Sequence, residues 1–189
     1  MTREEKIWGL LYEKIGNAYG VAAIMGNLMA ESVLSPTSMT GKKASGYNPR
    51  STYIDGVNNG SISRDVFSRD GIAFGLAQWC YWSRKQALYD YAVGKNIGSE
   101  ETQIGYLLEE MPKYKKVWPK VINATDIQEP CDAVMLEYER PSGTSEAAKR
   151  KRRNYAEQFY QKYAARIAEE ADLTTEEKVR IMWEAYNGH

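Results

Sequence analysis

Apolar residues recur at helical spacing through most of the chain. Ile7, Leu10, Leu11 and Ile15 mark one stripe, and Gly16-Asn17 supplies its stop. A second apolar segment runs from Val21 to Ala30, with Ile24, Met25 and Leu28 on one side and Ala22, Ala23, Gly26 and Ala30 keeping it slim. That is the pattern of a buried central helix, expected to end at Ser35-Pro36. From Thr37 to about Asp65 periodicity gives way to Gly, Ser, Asn and Tyr, which predicts a long excursion with a short hairpin near Asn58-Asn59-Gly60. Loops of that length often line sites.

Helical patterns resume after the segment Gly71 to Trp79. Ser83 and Gln86 have capping-box spacing ahead of Leu88, Ala92 and Val93, and Ser99 can cap a helix carrying Ile104, Leu107, Leu108 and Met111. Asp126, Glu129 and Pro130 open another, whose stripe is Ile127, Cys131, Val134, Met135 and Tyr138 and whose stop is Pro141-Ser142-Gly143. A long helix from about Ser145 to Ala171 follows, with Ala148, Ala156, Phe159, Tyr163 and Ile167 on its inner side. Thr174 and Glu177 restart a pattern that stops abruptly, so residues 1–171 are expected to form one all-α domain. Residues 172–189 then read as a linker or the beginning of a further module, such as a wall-binding one.

Composition narrows the chemistry. The 189 residues are 43% hydrophobic and 26% charged, with no apolar run near the roughly 20 residues of a membrane span, so no membrane insertion is expected. Lys plus Arg equals Asp plus Glu at 25 each, so no overall field recruits a polyanion. Nucleic acid is therefore not an expected partner. The start, Met1-Thr2-Arg3-Glu4-Glu5-Lys6, lacks the features of a signal peptide, which predicts synthesis in a cytoplasm. Cys80 and Cys131 are too few for a disulfide framework and are expected to be free and buried, a single bridge being the alternative.

The only histidine is His189, the last residue. Ser-His-Asp and Cys-His hydrolysis need a positioned imidazole, and zinc hydrolases usually need two or three. Neither metal nor cofactor is expected, and carboxylates become the natural acid and base. Glu31 ends an otherwise apolar helix just before a loop, where apolar neighbours favour a protonated carboxyl that can donate to a leaving oxygen. The alternative is a solvated side chain at a helix end. Asp70-Gly71-Ile72-Ala73-Phe74-Gly75-Leu76-Ala77-Gln78-Trp79, followed by Tyr81, Trp82 and Arg84, combines close backbone approach, an amide and aromatic faces. Those suit a sugar, though an aromatic packing turn would read the same way. The run Lys149-Arg150-Lys151-Arg152-Arg153 could meet an anionic polymer, but it opens the long helix beside Glu146 and Glu157 and reads as a solvated face.

Glu31, the polar loop after it and Phe74-Gly75-Leu76-Ala77-Gln78-Trp79 together resemble the phage tail lysozyme family of tail-associated lysins and endolysins. Thr102-Gln103-Ile104-Gly105-Tyr106-Leu107, Val117-Trp118 and Leu136-Glu137-Tyr138-Glu139-Arg140-Pro141 are similar to it in the same order, so the likeness spans about Val21 to Tyr163. Gly75-Leu76-Ala77-Gln78 is also similar to the Gly-Leu-x-Gln motif of goose-type lysozymes and lytic transglycosylases. The resemblance implies a lysozyme-like helical fold, with a long irregular loop or small hairpin beside the cleft. It implies cleavage of the β-1,4 bond between N-acetylmuramic acid and N-acetylglucosamine in bacterial peptidoglycan, by an enzyme in the host cytoplasm before release or on a phage tail. Glu31 matches the family's acid, and Gly75, Gln78 and Trp79 match its substrate groove, with Tyr81 beside them.

Inverting glycosidases place a base about 6.5–9.5 Å from the acid and retaining ones a nucleophile at about 5–5.5 Å. Asp70 is the first candidate for that second carboxylate, and Glu139 the second, or else a groove residue. The alternatives to a hydrolase are a lytic transglycosylase, a non-catalytic wall-binding or tail-structural module, and, more distantly, a nucleic-acid-binding helical domain.

Overall fold

Thr2 opens α1 (Arg3–Ile15) with a full capping box: its hydroxyl accepts from Glu5 N–H while the Glu5 carboxylate accepts from Thr2 N–H. Gly16 closes α1 in the left-handed region, and the Asn17 side chain caps α2 (Ala18–Ser32), as the Gly-Asn pair predicts. The computed structural model describes residues 1–172, and the side-chain surroundings of residues 1–164. The expected C-terminal unit, 172–189, therefore lies outside the described residues apart from Asp172, as do the surroundings of Ile167.

From Gly20 to Leu28 every residue of α2 is buried. The helix is wrapped by α1, α7 (Trp118–Ile122), α8 (Gln128–Ala133) and, most extensively, α9 (Glu146–Asp172). Gly26 is the reason α9 can come so close: a Cβ there would lie 2.5 Å from the Arg152 carbonyl oxygen and 2.8 Å from the Ala156 Cβ. The helix stops earlier than Ser35-Pro36. Val33 and Leu34 both take φ 55°, a left-handed conformation that is uncommon for L residues and unfavourable for a β-branched one. The chain thus turns sharply within two residues of Glu31.

The excursion after α2 is more ordered than its composition predicts. It holds α3 (Ser51–Asn58) and α4 (Arg64–Arg69), preceded by β1 (Met39–Thr40), which pairs antiparallel with β2 (Ala73–Phe74). The expected hairpin at Asn58-Asn59-Gly60 is not there; those residues end α3. Asn58 instead bridges to the next loop, its Oδ1 accepting from Ile97 N–H and its Nδ2 donating to Asn96 Oδ1. The small sheet lies elsewhere, and two-residue strands are too short to leave a period.

α5 (Trp82–Tyr91) takes Ser83 into its first turn, so Ser83 is not the cap; Tyr81 stands there without a side-chain bond. Ser99 does cap α6 (Glu100–Glu110), its hydroxyl accepting from Thr102 N–H. Asp126 accepts from Glu129 N–H ahead of α8, and six residues of π-helix, Val134–Glu139, continue it. Arg140, left-handed at φ 51°, ends that segment before Pro141. The predicted stripe Ile127, Cys131, Val134, Met135 and Tyr138 is buried, as are Ala156, Phe159 and Tyr163 on α9. The architecture is mainly helical, with β1 and β2 the only strands among the described residues. No helix of the described residues is long and apolar enough to cross a membrane. Both cysteines are free, but Cys80, the residue after the Phe74/Trp79 bridge, is exposed rather than buried.

Candidate active site

Glu31 occupies the last turn of α2 with 18% of its side chain exposed. The Nη2 of Arg152, on α9, donates to Glu31 Oε1. Because Gly26 draws the Arg152 backbone against α2, the guanidinium is delivered to the end of that helix. Glu139, the final residue of the π-helix, completes the cluster. Its Oε1 is buried and has no hydrogen-bond partner in the protein, and the same holds for Arg152 Nε and for Asn27 Oδ1, one turn before Glu31. Burial first, and the negative charge of Glu31 second, push the Glu139 carboxyl well above its ordinary range, while Arg84 and Arg152 pull the other way. Two carboxyl groups held in different environments are what acid–base work at a glycosidic bond requires.

Asp70 belongs to a different set of contacts. It accepts from the Tyr53 hydroxyl, from Lys85 Nζ at 2.6 Å and from Ile72 N–H at 2.8 Å. Lys85 is fully buried and donates also to Ile72 O. Burial lowers the affinity of Lys85 for its proton, opposed by the hydrogen bond to Asp70, and burial followed by the Asp70 bond raises that of Tyr53. Asp70 is thereby the counter-ion of a buried ammonium at the turn that enters β2. None of its contacts joins it to the Glu31, Arg152 and Glu139 cluster.

The Gly75 to Trp79 segment is a tight loop closed by the Phe74/Trp79 bridge. Gly75 sits at φ 79°, its N–H donates to Ser38 O, and a Cβ would lie 2.4 Å from Gln103 Oε1. Only glycine fits there. Buried Gln103 accepts from Leu76 N–H and donates to Pro36 O and Ile97 O, so the Thr102 to Leu107 stretch holds the loop to the one after α2. Gln78, left-handed at φ 47°, is half-buried; its Nε2 donates to Gly75 O and its Oε1 accepts from Thr40. Trp79 does not present a face to a groove. It is fully buried, with Nε1 donating to Glu110 Oε2. Exposed aromatic surface comes instead from Tyr81 and Trp82, with Arg69 over the Trp82 ring.

Glu110 is a buried hub that the sequence did not reveal. Arg84 donates to both its oxygens, and Tyr106, Tyr138 and Trp79 add three more donors. Burial opposes ionisation of Glu110, but the donors prevail and keep its carboxyl below its ordinary value. Tyr138, next to Glu139, is thus tied through Glu110 to Arg84, which also donates to Tyr138 O.

The basic run is divided rather than solvated throughout. Lys149 pairs with Glu146, as expected, but Arg152 turns in to Glu31 and Arg153 forms a two-pronged pair with Asp132. A signal for this was present: 152, 156, 159 and 163 continue the inner stripe at helical spacing. Among the described residues, no group of three or more His, Cys, Asp or Glu could hold a metal ion.

No curated protein and no solved structure matches the chain. The family described as phage tail lysozyme matches residues 2–163, a span that contains the whole Glu31, Arg152 and Glu139 cluster, the Gly75 to Trp79 loop and the Gln103 and Glu110 supports beneath it. By that match over most of its length, the chain belongs to the phage tail lysozyme family.

Proposed function

We propose that this protein is a peptidoglycan hydrolase that cleaves the β-1,4 bond between N-acetylmuramic acid and N-acetylglucosamine, with Glu31 as general acid. One observation carries the reading: a partly exposed carboxyl closes the buried central helix, beside a guanidinium and a second, buried carboxyl. Glu31 protonates the glycosidic oxygen, and the loop bearing Gln78 and the exposed rings of Tyr81 and Trp82 offer the amide and apolar faces that hold a sugar. Asp70 supports the turn into β2 rather than activating water, because its contacts to Tyr53, Lys85 and Ile72 commit it to the loop. The substrate is the bacterial wall, met from a phage tail or after release from the host cytoplasm.

Purified peptidoglycan digested with the wild type and with Glu31→Gln, followed by mass spectrometry of the fragments, tests this. The wild type is expected to release fragments with free reducing ends. Glu31→Gln keeps the side-chain size without the transferable proton and should be slower by about 10²–10⁴-fold. Lysis by Glu31→Gln within about threefold of wild type, against a general-acid contribution of that size, would remove Glu31 from the mechanism. Fragments ending in a 1,6-anhydro sugar would make the enzyme a lytic transglycosylase, and wall binding without fragments would make it a structural module.

A further inference from the structure

Among the described residues, the buried side-chain atoms without a hydrogen-bond partner are Asn27 Oδ1, one turn before Glu31 on α2, and Glu139 Oε1 and Arg152 Nε, the last two within the Glu31, Arg152 and Glu139 cluster. Native interiors seldom leave such atoms unpaired, and here an unused donor and an unused acceptor of opposite character share one cluster. Arg152 has five N–H groups in a rigid fork and directs Nη2 at Glu31. Glu139 has an acceptor oxygen buried with no donor. Turning the guanidinium from Glu31 to Glu139 would give both orphans a partner at the expense of the bond to Glu31.

We propose that Arg152 and Glu139 are positioning residues that supply the proton of Glu31, Arg152 turning from Glu31 to Glu139 as the Glu139 proton crosses to Glu31. This rests on the reading of Glu31 as the general acid. The steps balance. Glu139 gives up its carboxyl proton and becomes a carboxylate facing the guanidinium, while Glu31 becomes the neutral acid. Glu31 then passes that proton to the glycosidic oxygen as the bond from the anomeric carbon breaks and its electron pair stays on the leaving oxygen. Water adds to the anomeric carbon and releases a proton to Glu31. That proton returns to Glu139 as Arg152 swings back, so each cycle consumes one water and no net proton.

The surrounding charges suit a shared proton. Glu139 is faced by Glu31 from α2, Arg84 from α5, Glu110 from α6 and Arg152 from α9, with the Tyr138 and Tyr114 hydroxyls nearby. Glu110 is saturated by its own donors, so the exchangeable pair is Glu31 with Glu139. Coupled carboxyls titrate as a unit, and removing one changes the pH dependence as well as the rate.

The test is the pH profile of kcat/KM for fragment release from purified peptidoglycan, between about pH 3 and 9, a range that brackets free carboxyls and raised ones. Wild type, Glu139→Gln, Arg152→Met and Glu31→Gln are compared, with melting temperatures taken on the same preparations. In Glu139→Gln the proton must load directly onto Glu31 beside Arg152. Its alkaline limb should move down by about one pH unit or more, a loss of roughly tenfold or more near neutrality that is largely regained in acid. In Arg152→Met the cation is gone and the limb should move up, whatever the height of the profile. A merely structural role would lower both profiles without moving their limbs, and limbs that stay with the wild type's would overturn the proposal. If Glu139→Gln does not fold, Glu139→Met is measured in its place, because the limb of Arg152→Met would move up through loss of the Glu31 ion pair alone. Limbs unmoved while Glu31→Gln is inactive at every pH would remove the relay and spare the glycosidase. Lysis by Glu31→Gln would remove the glycosidase reading itself.

Discussion

At the scale of single residues, Asp70 and Glu31 keep different company, Asp70 as the counter-ion of a buried ammonium and Glu31 as the partner of Arg152. With 8% of its side chain exposed, it takes donors from Tyr53, Lys85 and Ile72 at once, leaving little capacity for a water or a sugar. Its partner Lys85 has no exposure at all, so the pair is fully desolvated on one side. Removing one member of a buried pair strands the other, at a typical cost of about 3–5 kcal/mol. Asp70→Asn should therefore melt earlier by roughly 6–20 °C, given about 2–4 °C per kcal/mol for a chain of this size. Turnover per folded molecule should stay near wild type. Calorimetry alongside fragment release checks this, and an unchanged melting temperature with turnover reduced by orders of magnitude would return Asp70 to the reaction.

At the scale of elements, the pairing of Glu31 with Arg152 depends on how closely α9 approaches α2. A methyl at Gly26 would meet the Arg152 carbonyl at 2.5 Å and Ala156 at 2.8 Å, both on backbone or short side chain that cannot rotate away. Gly26→Ala should force the helices apart at about 1–3 kcal/mol, the usual cost of overpacking. Lysis should fall by more than the loss of folded protein explains, because Arg152 moves with the backbone; measuring both on one preparation would expose a purely structural effect. The helices themselves were legible, since their stripes, the Gly16-Asn17 stop and the Ser99 cap are local signals. Glu31 was conspicuous as a candidate, a carboxylate that ends an apolar run. Its partners were not. Arg152 lies 121 positions away, inside a run whose composition reads as solvated, and only continuation of the α9 stripe back from Ala156 hints otherwise. Trp79 was misread because an aromatic beside glycines looks the same whether it lines a groove or fills the core. The π-helix that presents Glu139 follows a pattern that serves an α-helix equally well, so nothing in the spacing announced it.

At the scale of the whole molecule, the buried Glu139 carboxyl ties stability to pH, and the tie can be read without any substrate. Burial and the Glu31 charge raise its folded-state pKa well above the ordinary value of 4.5, whereas the unfolded chain titrates near that value. Below the unfolded value both states carry the proton and Glu139 contributes no pH dependence. As pH rises above it, the unfolded state ionises first while the folded state keeps its proton. Folding then takes up a proton, so the stability present in acid is lost as pH climbs toward the folded pKa, by at most about 1.4 kcal/mol per pH unit for one group. Glu139→Gln removes this contribution, the largest that burial makes in the Glu31 and Glu139 pair. Its melting temperature relative to wild type should therefore improve steadily from about pH 4.5 upward, by roughly 3–6 °C per unit at most, and level off where the folded group finally ionises. Differential scanning calorimetry of the two proteins across that range measures the difference directly, and the offset at low pH reports the packing change alone. Curves that run parallel over the whole range would mean that Glu139 titrates as an ordinary surface carboxylate, and a difference that shrinks with rising pH would mean that Arg84 and Arg152 outweigh burial and hold it ionised.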